Sequence, residues 1–228
     1  MTNERSDVLE RAMGYPYPAP SHPFVQLGHD TLDPAEADVD WHERLPLLAY
    51  GSNAAPRALA HKLALSDDPV LVVPAWLHDF DVVYSAHISP YGAVPATLQR
   101  SPGTVARVHV AHVTHEQLVL VSATEPNYEP TVLETADCRL YDERRVTELS
   151  AYVSRHGCLL IDDSEVALSA VRSTGRTFAE LSQPQVLEYV RELACPAESL
   201  ETFVLGNVTD PDLAASRGAL LSRRALLR

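Results

Sequence analysis

LLAYGSNAAPRALAHK, residues Leu47–Lys62, decides how the rest of the chain is read. The apolar run from Leu47 to Tyr50 predicts a buried strand. Gly51-Ser52-Asn53 breaks it, and Pro56 takes the favoured first position of a helix that runs to about Leu65. Such a junction aims several backbone N–H groups and the positive end of a helix at one place, which suits a carboxylate or a carbonyl oxygen. The plain alternative is a simple turn in which Gly51 supplies an unusual backbone angle and Ser52 or Asn53 caps the helix. Against it, Pro56 at the first helical position makes Ala55 the cap, and alanine caps poorly. Ser52 and Asn53 are then left to shape the loop for another purpose.

Downstream, VLVVPAWL and DFDVVYSA predict two strands separated near His78-Asp79. Ser89-Pro90-Tyr91-Gly92 and Ser101-Pro102-Gly103 have turn chemistry. Between and after them come a short strand, Pro95–Gln99, and a long alternating one, Thr104–Thr114. His115–Thr124 could be strand by propensity, but Leu118 and Val121 at spacing three favour a short helix; Val132–Tyr141 reads as a strand. Glu143–Arg155 sets Val146, Leu149 and Val153 on one helical face and stops at Gly157. Cys158–Ile161 is a short strand, Ser164–Val171 a weaker helix, and Gln183–Ala194 a helix with a capping-box start at Ser182. Asp210-Pro211 opens a last helix. Clustered strands with helices before and after predict an α+β fold whose sheet curls toward a barrel.

Upstream, a short helix near Glu4–Ala12 leads into YPYPAPSHP, where Pro16, Pro18, Pro20 and Pro23 forbid helix and central strand. Tyr15, Tyr17, Phe24 and Trp41 are the residues that could pack this arm down. The expected division is an arm at 1–45, a core at 46–141 and a helical extension at 142–228 packed on the same domain.

Composition bounds the function. The 228 residues, 46% apolar and 21% charged, suit one substantial core. A net charge of −13 argues against nucleic acid or an anionic membrane as partner. Only the tail Arg223–Arg228 is locally basic. Three dispersed cysteines, Cys138, Cys158 and Cys195, suit buried thiols in a reducing compartment better than disulfides or zinc. A charged start, MTNERSDVLE, and no apolar run of membrane-spanning length predict a cytosolic protein.

Glu125, in VLVSATEPNYEP, is a candidate proton carrier: apolar neighbours would desolvate its carboxyl and raise its pKa, with Tyr128 nearby. The alternative is a solvated loop glutamate. His109, His112 and His115 recur at spacing three, but on a strand His109 and His112 point to opposite faces, so no metal is expected. Ser52 as a nucleophile lacks a GxSxG context and an assignable His/Asp partner.

Tyr50-Gly51-Ser52-Asn53 after a strand, followed by the leucine-bearing segment Leu118–Tyr128 with Glu125 and Tyr128, resembles the γ-glutamylcyclotransferase family. Pro95-Ala96-Thr97-Leu98, Pro102-Gly103 and the strand through Val105–Val110 occupy the place of that family's proline-glycine turn and barrel strand. The resemblance covers about Leu47–Leu140. It implies a small mixed β-barrel flanked by helices, here with extra C-terminal helices. It also implies a small-molecule substrate carrying a γ-glutamyl or similar amide, cyclised without a cofactor to release 5-oxoproline. The amides of Gly51, Ser52 and Asn53 would hold the glutamyl group, Glu125 would move the proton, and Tyr128 and Tyr50 would complete the pocket. Departures are Ala54 for a larger aliphatic residue, Ser122 for an aspartate, Ala106 for a barrel glycine, and Glu129-Pro130 where a basic residue is common. They leave open a second outcome, a non-catalytic binding or interaction protein on the same fold. Oligomeric state is not legible.

Overall fold

The computed structural model describes residues 2–37, 40–41 and 43–227; the expectations that touch Met1, Asp38, Val39, His42 and Arg228 lie outside them. In chain order the strands are β1 (Phe24–Leu27), β2 (Asp30–Leu32), β3 (Leu45–Ala49), β4 (Val70–Tyr84), β5 (Ala96–Val113), β6 (Tyr128–Val132) and β7 (Cys138–Leu140). They continue with β8 (Arg145–Val146), β9 (Ser150–Ser154), β10 (Cys158–Ile161), β11 (Ser164–Leu168), β12 (Ser173–Thr174), β13 (Ala179–Leu181) and β14 (Ala225–Leu226). The helices are α1 (Thr2–Met13), α2 (Pro56–Lys62), α3 (His115–Ala123), α4 (Gln183–Ala194), α5 (Leu200–Thr209) and α6 (Pro211–Ser222).

The ribbon of β4 and β5, paired antiparallel from Leu71 opposite His112 to Tyr84 opposite Ala96, is the backbone of the fold. Its side chains alternate as the period of a strand requires. Val73, Ala75, Leu77, Val108 and Val110 enter the larger core, while Val70, Val72, Ala111 and Val113 enter a smaller one with Leu59 of α2, Leu63 just after it and Val121 of α3. Each of these valines and leucines, fully buried, contributes on the order of 1.5–3 kcal/mol.

The two breaks expected near His78-Asp79 and at Ser101–Gly103 do not end strands. They face each other as one kink: the register shifts between His78 and Phe80, and Asp79 and Gly103 both take positive φ, 60° and 81°. The Gly103 N–H donates to Asp79 Oδ1 at 2.8 Å and pins the kink. A bulge of this kind bends the ribbon and increases its twist.

The strand order β14-β10-β11-β4-β5-β3-β9-β6 shows that the sheet curls. Only Arg155, His156 and Gly157 separate β9 from β10, yet the two lie on opposite flanks of the order, so the flanks must approach each other. A bridge between Ser85 and Cys158 and a 2.6 Å hydroxyl contact between Ser85 and Ser154 lie along that approach. The fold is mixed α+β, with a curled sheet and, among the described residues, six helices.

Two expected helices are strands. Glu143–Arg155 forms β8 and β9, because Ser150 pairs beside Leu47 of β3 and the segment Ser150–Ser154 pairs with β6. Those tertiary ladders override the helical spacing of Val146, Leu149 and Val153. Ser164–Val171 holds β11, paired with β10, β13 and β4. The region from 142 onward, expected to be helical, therefore opens with strands of the central sheet. Val132–Tyr141, expected as one strand, is split: Val132 ends β6, and the next strand is β7. The N-terminal arm joins the sheet: β1 pairs with both β2 and β4 and buries Phe24 and Val25.

Side-chain caps mark the starts of α3 and α6. In α3, Thr114 and Gln117 form a reciprocal box, and Asp210 accepts from the amides of Asp212 and Leu213 at the start of α6. Among the described residues no helix is long and apolar enough to cross a membrane.

Candidate functional site

After β3, Tyr50 and Gly51 lead into a short 3-10 turn, Ser52–Ala54, closed by the Ala54 N–H on Gly51 O at 3.2 Å and the Ala55 N–H on Ser52 O at 3.0 Å. Ala55 is the N-cap of α2 and makes no side-chain bond, so neither Ser52 nor Asn53 caps the helix. α2 ends at Lys62, short of the expected Leu65, and seven residues give little dipole. Any cradle here rests on the turn itself. Among the described residues the amides of Gly51, Ser52 and Asn53 meet no acceptor.

A Cβ at Gly51 would overlap the Tyr15 hydroxyl. That hydroxyl accepts the Ala96 N–H at 3.0 Å and is held in place.

Glu125 follows α3 in a turn, its N–H on Ser122 O and its carbonyl accepting the Tyr128 N–H, both at 3.1 Å. Its Oε1 accepts from Asn53 Nδ2 at 3.1 Å and from the Lys62 ammonium. The Glu125 and Lys62 side chains are 13% and 14% exposed, so the pair is largely withdrawn from water. The apolar surroundings expected for Glu125 are thereby corrected: an ammonium and an amide face it. Asn53, 9% exposed, spends its amide nitrogen on Glu125, and its Oδ1 is buried without a partner among the described residues.

The tyrosines frame the site. Tyr50 donates to Tyr152 O, Tyr128 donates to Ala96 O at 2.9 Å, and the Tyr152 hydroxyl lies 2.6 Å from Ser122 Oγ. Burial raises the pKa of Tyr128 well above the usual phenol value and raises that of Tyr152, so both stay neutral near pH 7. His87 meets the edge of Tyr128 at 5.6 Å between centroids and stacks on His156 at 4.6 Å. Burial first, and then His156, push the His87 pKa down to about 3, which keeps the ring neutral.

Tyr50, Gly51, Ser52, Asn53, Glu125 and Tyr128 all line one cavity of about 1210 Å³. Lys62, Tyr15, Tyr17, Tyr91 and His87 line it too and were not anticipated. For Lys62 a signal existed: it lies three residues after the buried Leu59, on the same helical face. For the tyrosines none did, because their place depends on how distant segments pack.

The three spaced histidines belong to different surroundings: His109 is buried with Nε2 2.9 Å from Pro20 O, His112 lies opposite Pro46, and His115 opens α3. Among the described residues no three His, Cys, Asp or Glu side chains gather where a metal could sit.

No family model and no curated protein matches the chain. Several solved structures do. One is described as a gamma-glutamyl cyclotransferase, 16% identical over 71% of this chain and 86% of its own, with a TM-score of 0.40. An Arabidopsis thaliana protein solved in solution is 19% identical over 52% of this chain and 74% of its own, and an uncharacterized protein from Homo sapiens is 14% identical over 82% and 90%; both have TM-scores of 0.40. At such values, what the site does has to be read from its own residues.

Proposed function

We propose that the protein is a γ-glutamylcyclotransferase-like enzyme, cleaving a γ-glutamyl amide by attack of the substrate's own α-amine and releasing 5-oxoproline. The observation that carries this reading is the contact of Glu125 with Asn53, which sets a carboxylate against the amide-bearing turn on the wall of one cavity. The amides of Gly51, Ser52 and Asn53 hold the glutamyl oxygens as fixed donors, with no reorganisation needed as charge develops. Asn53 Oδ1 is an acceptor in want of a donor, and an ammonium N–H supplies one.

The proton inventory closes. Glu125 takes a proton from the α-ammonium, the freed amine attacks the γ-carbonyl carbon, and a C–N bond forms as the scissile C–N bond breaks. Two protons leave the attacking nitrogen and two reach the departing one, which leaves as an ammonium; Glu125 relays them and ends unchanged. Tyr50 and Tyr128, whose hydroxyls are committed to backbone carbonyls, give the pocket its shape.

The Lys62 ion pair favours a second reading, a binding protein without turnover, because the ammonium already occupies the carboxylate oxygen that a substrate amine would meet. One experiment separates them. A panel of γ-glutamyl amino acids and amines is incubated with the protein and 5-oxoproline is measured by mass spectrometry. Product from at least one member, reduced on the order of 10²–10⁴ in Glu125→Gln, is expected. No product from any member, or equal product from the variant, leaves the binding reading standing.

A further inference from the structure

We infer that the tyrosine wall of this cavity is a subsite for the departing amine, and that the preferred substrate is a γ-glutamyl amide whose amine portion carries an aromatic ring. The inference rests on the cyclotransferase reading and adds the substrate class to it.

Size comes first. Pockets of about 300–1,000 Å³ hold drug-sized ligands, and this one, at about 1210 Å³, is far larger than a glutamyl group needs. The leaving amine has to account for the remainder.

The wall beside the turn is aromatic. Tyr15, Tyr17 and Tyr91 all line the cavity, with centroids 5.9 Å apart for Tyr15 and Tyr17, 6.1 Å for Tyr15 and Tyr91, and 6.4 Å for Tyr17 and Tyr91. These separations fall within the range of interacting rings, and a further ring can join such a cluster edge-on or offset. The Arg11 guanidinium lies 5.2 Å from the Tyr91 centroid, over its face. Since the Tyr15 hydroxyl occupies the space against Gly51, the wall begins where the glutamyl cradle ends.

One feature of Tyr17 is costly for a surface that only packs: its φ is 68°, in the left-handed region that side chains avoid, while its hydroxyl is buried beside the Arg11 guanidinium. Such backbone strain is typical of ligand contacts. The strained Tyr17 thus stands in the tyrosine wall of the cavity whose cradle holds the unmatched Asn53 Oδ1.

The test compares kcat/KM for γ-glutamyl-phenylalanine and γ-glutamyl-alanine. A preference of about tenfold or more for the phenylalanine conjugate is expected, falling toward one in Tyr91→Leu. Turnover of both conjugates at equal efficiency overturns the subsite while leaving the cyclotransferase reading intact. If neither is turned over, calorimetry of both conjugates with folded Glu125→Gln protein decides: about tenfold tighter binding of the phenylalanine conjugate upholds the wall without the chemistry, and equal or absent binding overturns it.

Discussion

The Lys62 ammonium and the Glu125 carboxylate form an ion pair that bridges the end of α2 and the turn after α3, 63 residues apart in sequence and largely withdrawn from water. Asn53 donates to the same oxygen, Oε1, so the carboxylate is held from two sides of the strand-to-helix junction. Removing one charge of such a pair strands the other. Lys62→Met and Glu125→Gln should each lower stability by about 3 kcal/mol. The double variant should lose less than the sum, with a coupling of about 1–3 kcal/mol in urea titrations. Strict additivity would mean the two groups do not interact in solution.

Gly51→Ala sets a methyl group where the Tyr15 hydroxyl lies, and the hydroxyl is tied to the Ala96 amide. A loss of about 1–3 kcal/mol is expected, as for other overpacked sites. Tyr15→Phe should recover part of it in the double variant by removing the obstructing oxygen, at the expense of one hydrogen bond. Thermal melts of the four proteins check this, and no recovery would place the clash elsewhere.

His87 gives a pH dependence. Its folded pKa is lowered from 6.5 to about 3 by burial and by His156, and burial also lowers those of His156 and His109. Above pH 6.5 both states of the chain are neutral at His87. As pH falls from 6.5 toward 3 the unfolded chain takes up a proton that the folded chain refuses, and stability declines by up to about 1.4 kcal/mol per pH unit for each such histidine. His87→Gln should flatten the urea midpoints between pH 7 and pH 4.5; unchanged slopes would show that His87 is not responsible.

Asp81 and Arg176, 0% and 6% exposed, form a two-point ion pair at 2.7 and 2.8 Å that ties β4 to the segment between β12 and β13. The guanidinium also donates to the carbonyls of Leu168 and Val171. Asp81→Asn, which leaves the buried cation only the half-exposed Glu180 carboxylate, 3.1 Å away, as counter-charge, should cost up to about 3 kcal/mol by chemical denaturation. A loss below 1 kcal/mol would mean that water reaches the pair.

Ser52 contributes its amide, not its hydroxyl, in the proposed chemistry. Ser52→Ala should then keep kcat/KM within about threefold, whereas loss of a nucleophile would remove about 10³ or more. A large drop would revive the serine as the reacting group.

The site was legible where its chemistry is local. Gly51 and Asn53 announce a turn, and Glu125 lies in a proline-bounded loop after a capped helix, so their segments could be read one at a time. Lys62 is visible only once α2 is set beside Glu125, and Tyr15 only once the N-terminal segment is laid against Gly51. The misread helix at Glu143–Arg155 fails for the same reason: its apolar residues fit a 3.6 period, but Glu143 and Glu148 adopt positive φ and the ladders of β3 and β6 claim Ser150–Ser154. Gly157, read as a helix stop, is the left-handed turn between β9 and β10, where a Cβ would strike the Leu226 carbonyl.

Ala96 bonds through both ends of its backbone to this site, its N–H to Tyr15 and its carbonyl to Tyr128. One residue therefore couples the segment that walls the cavity to the segment that carries Glu125. Its amide is a built-in gauge: hydrogen exchange there should be slow while Tyr15 is seated, so a single resonance can report how often Tyr15 leaves its place against Ala96.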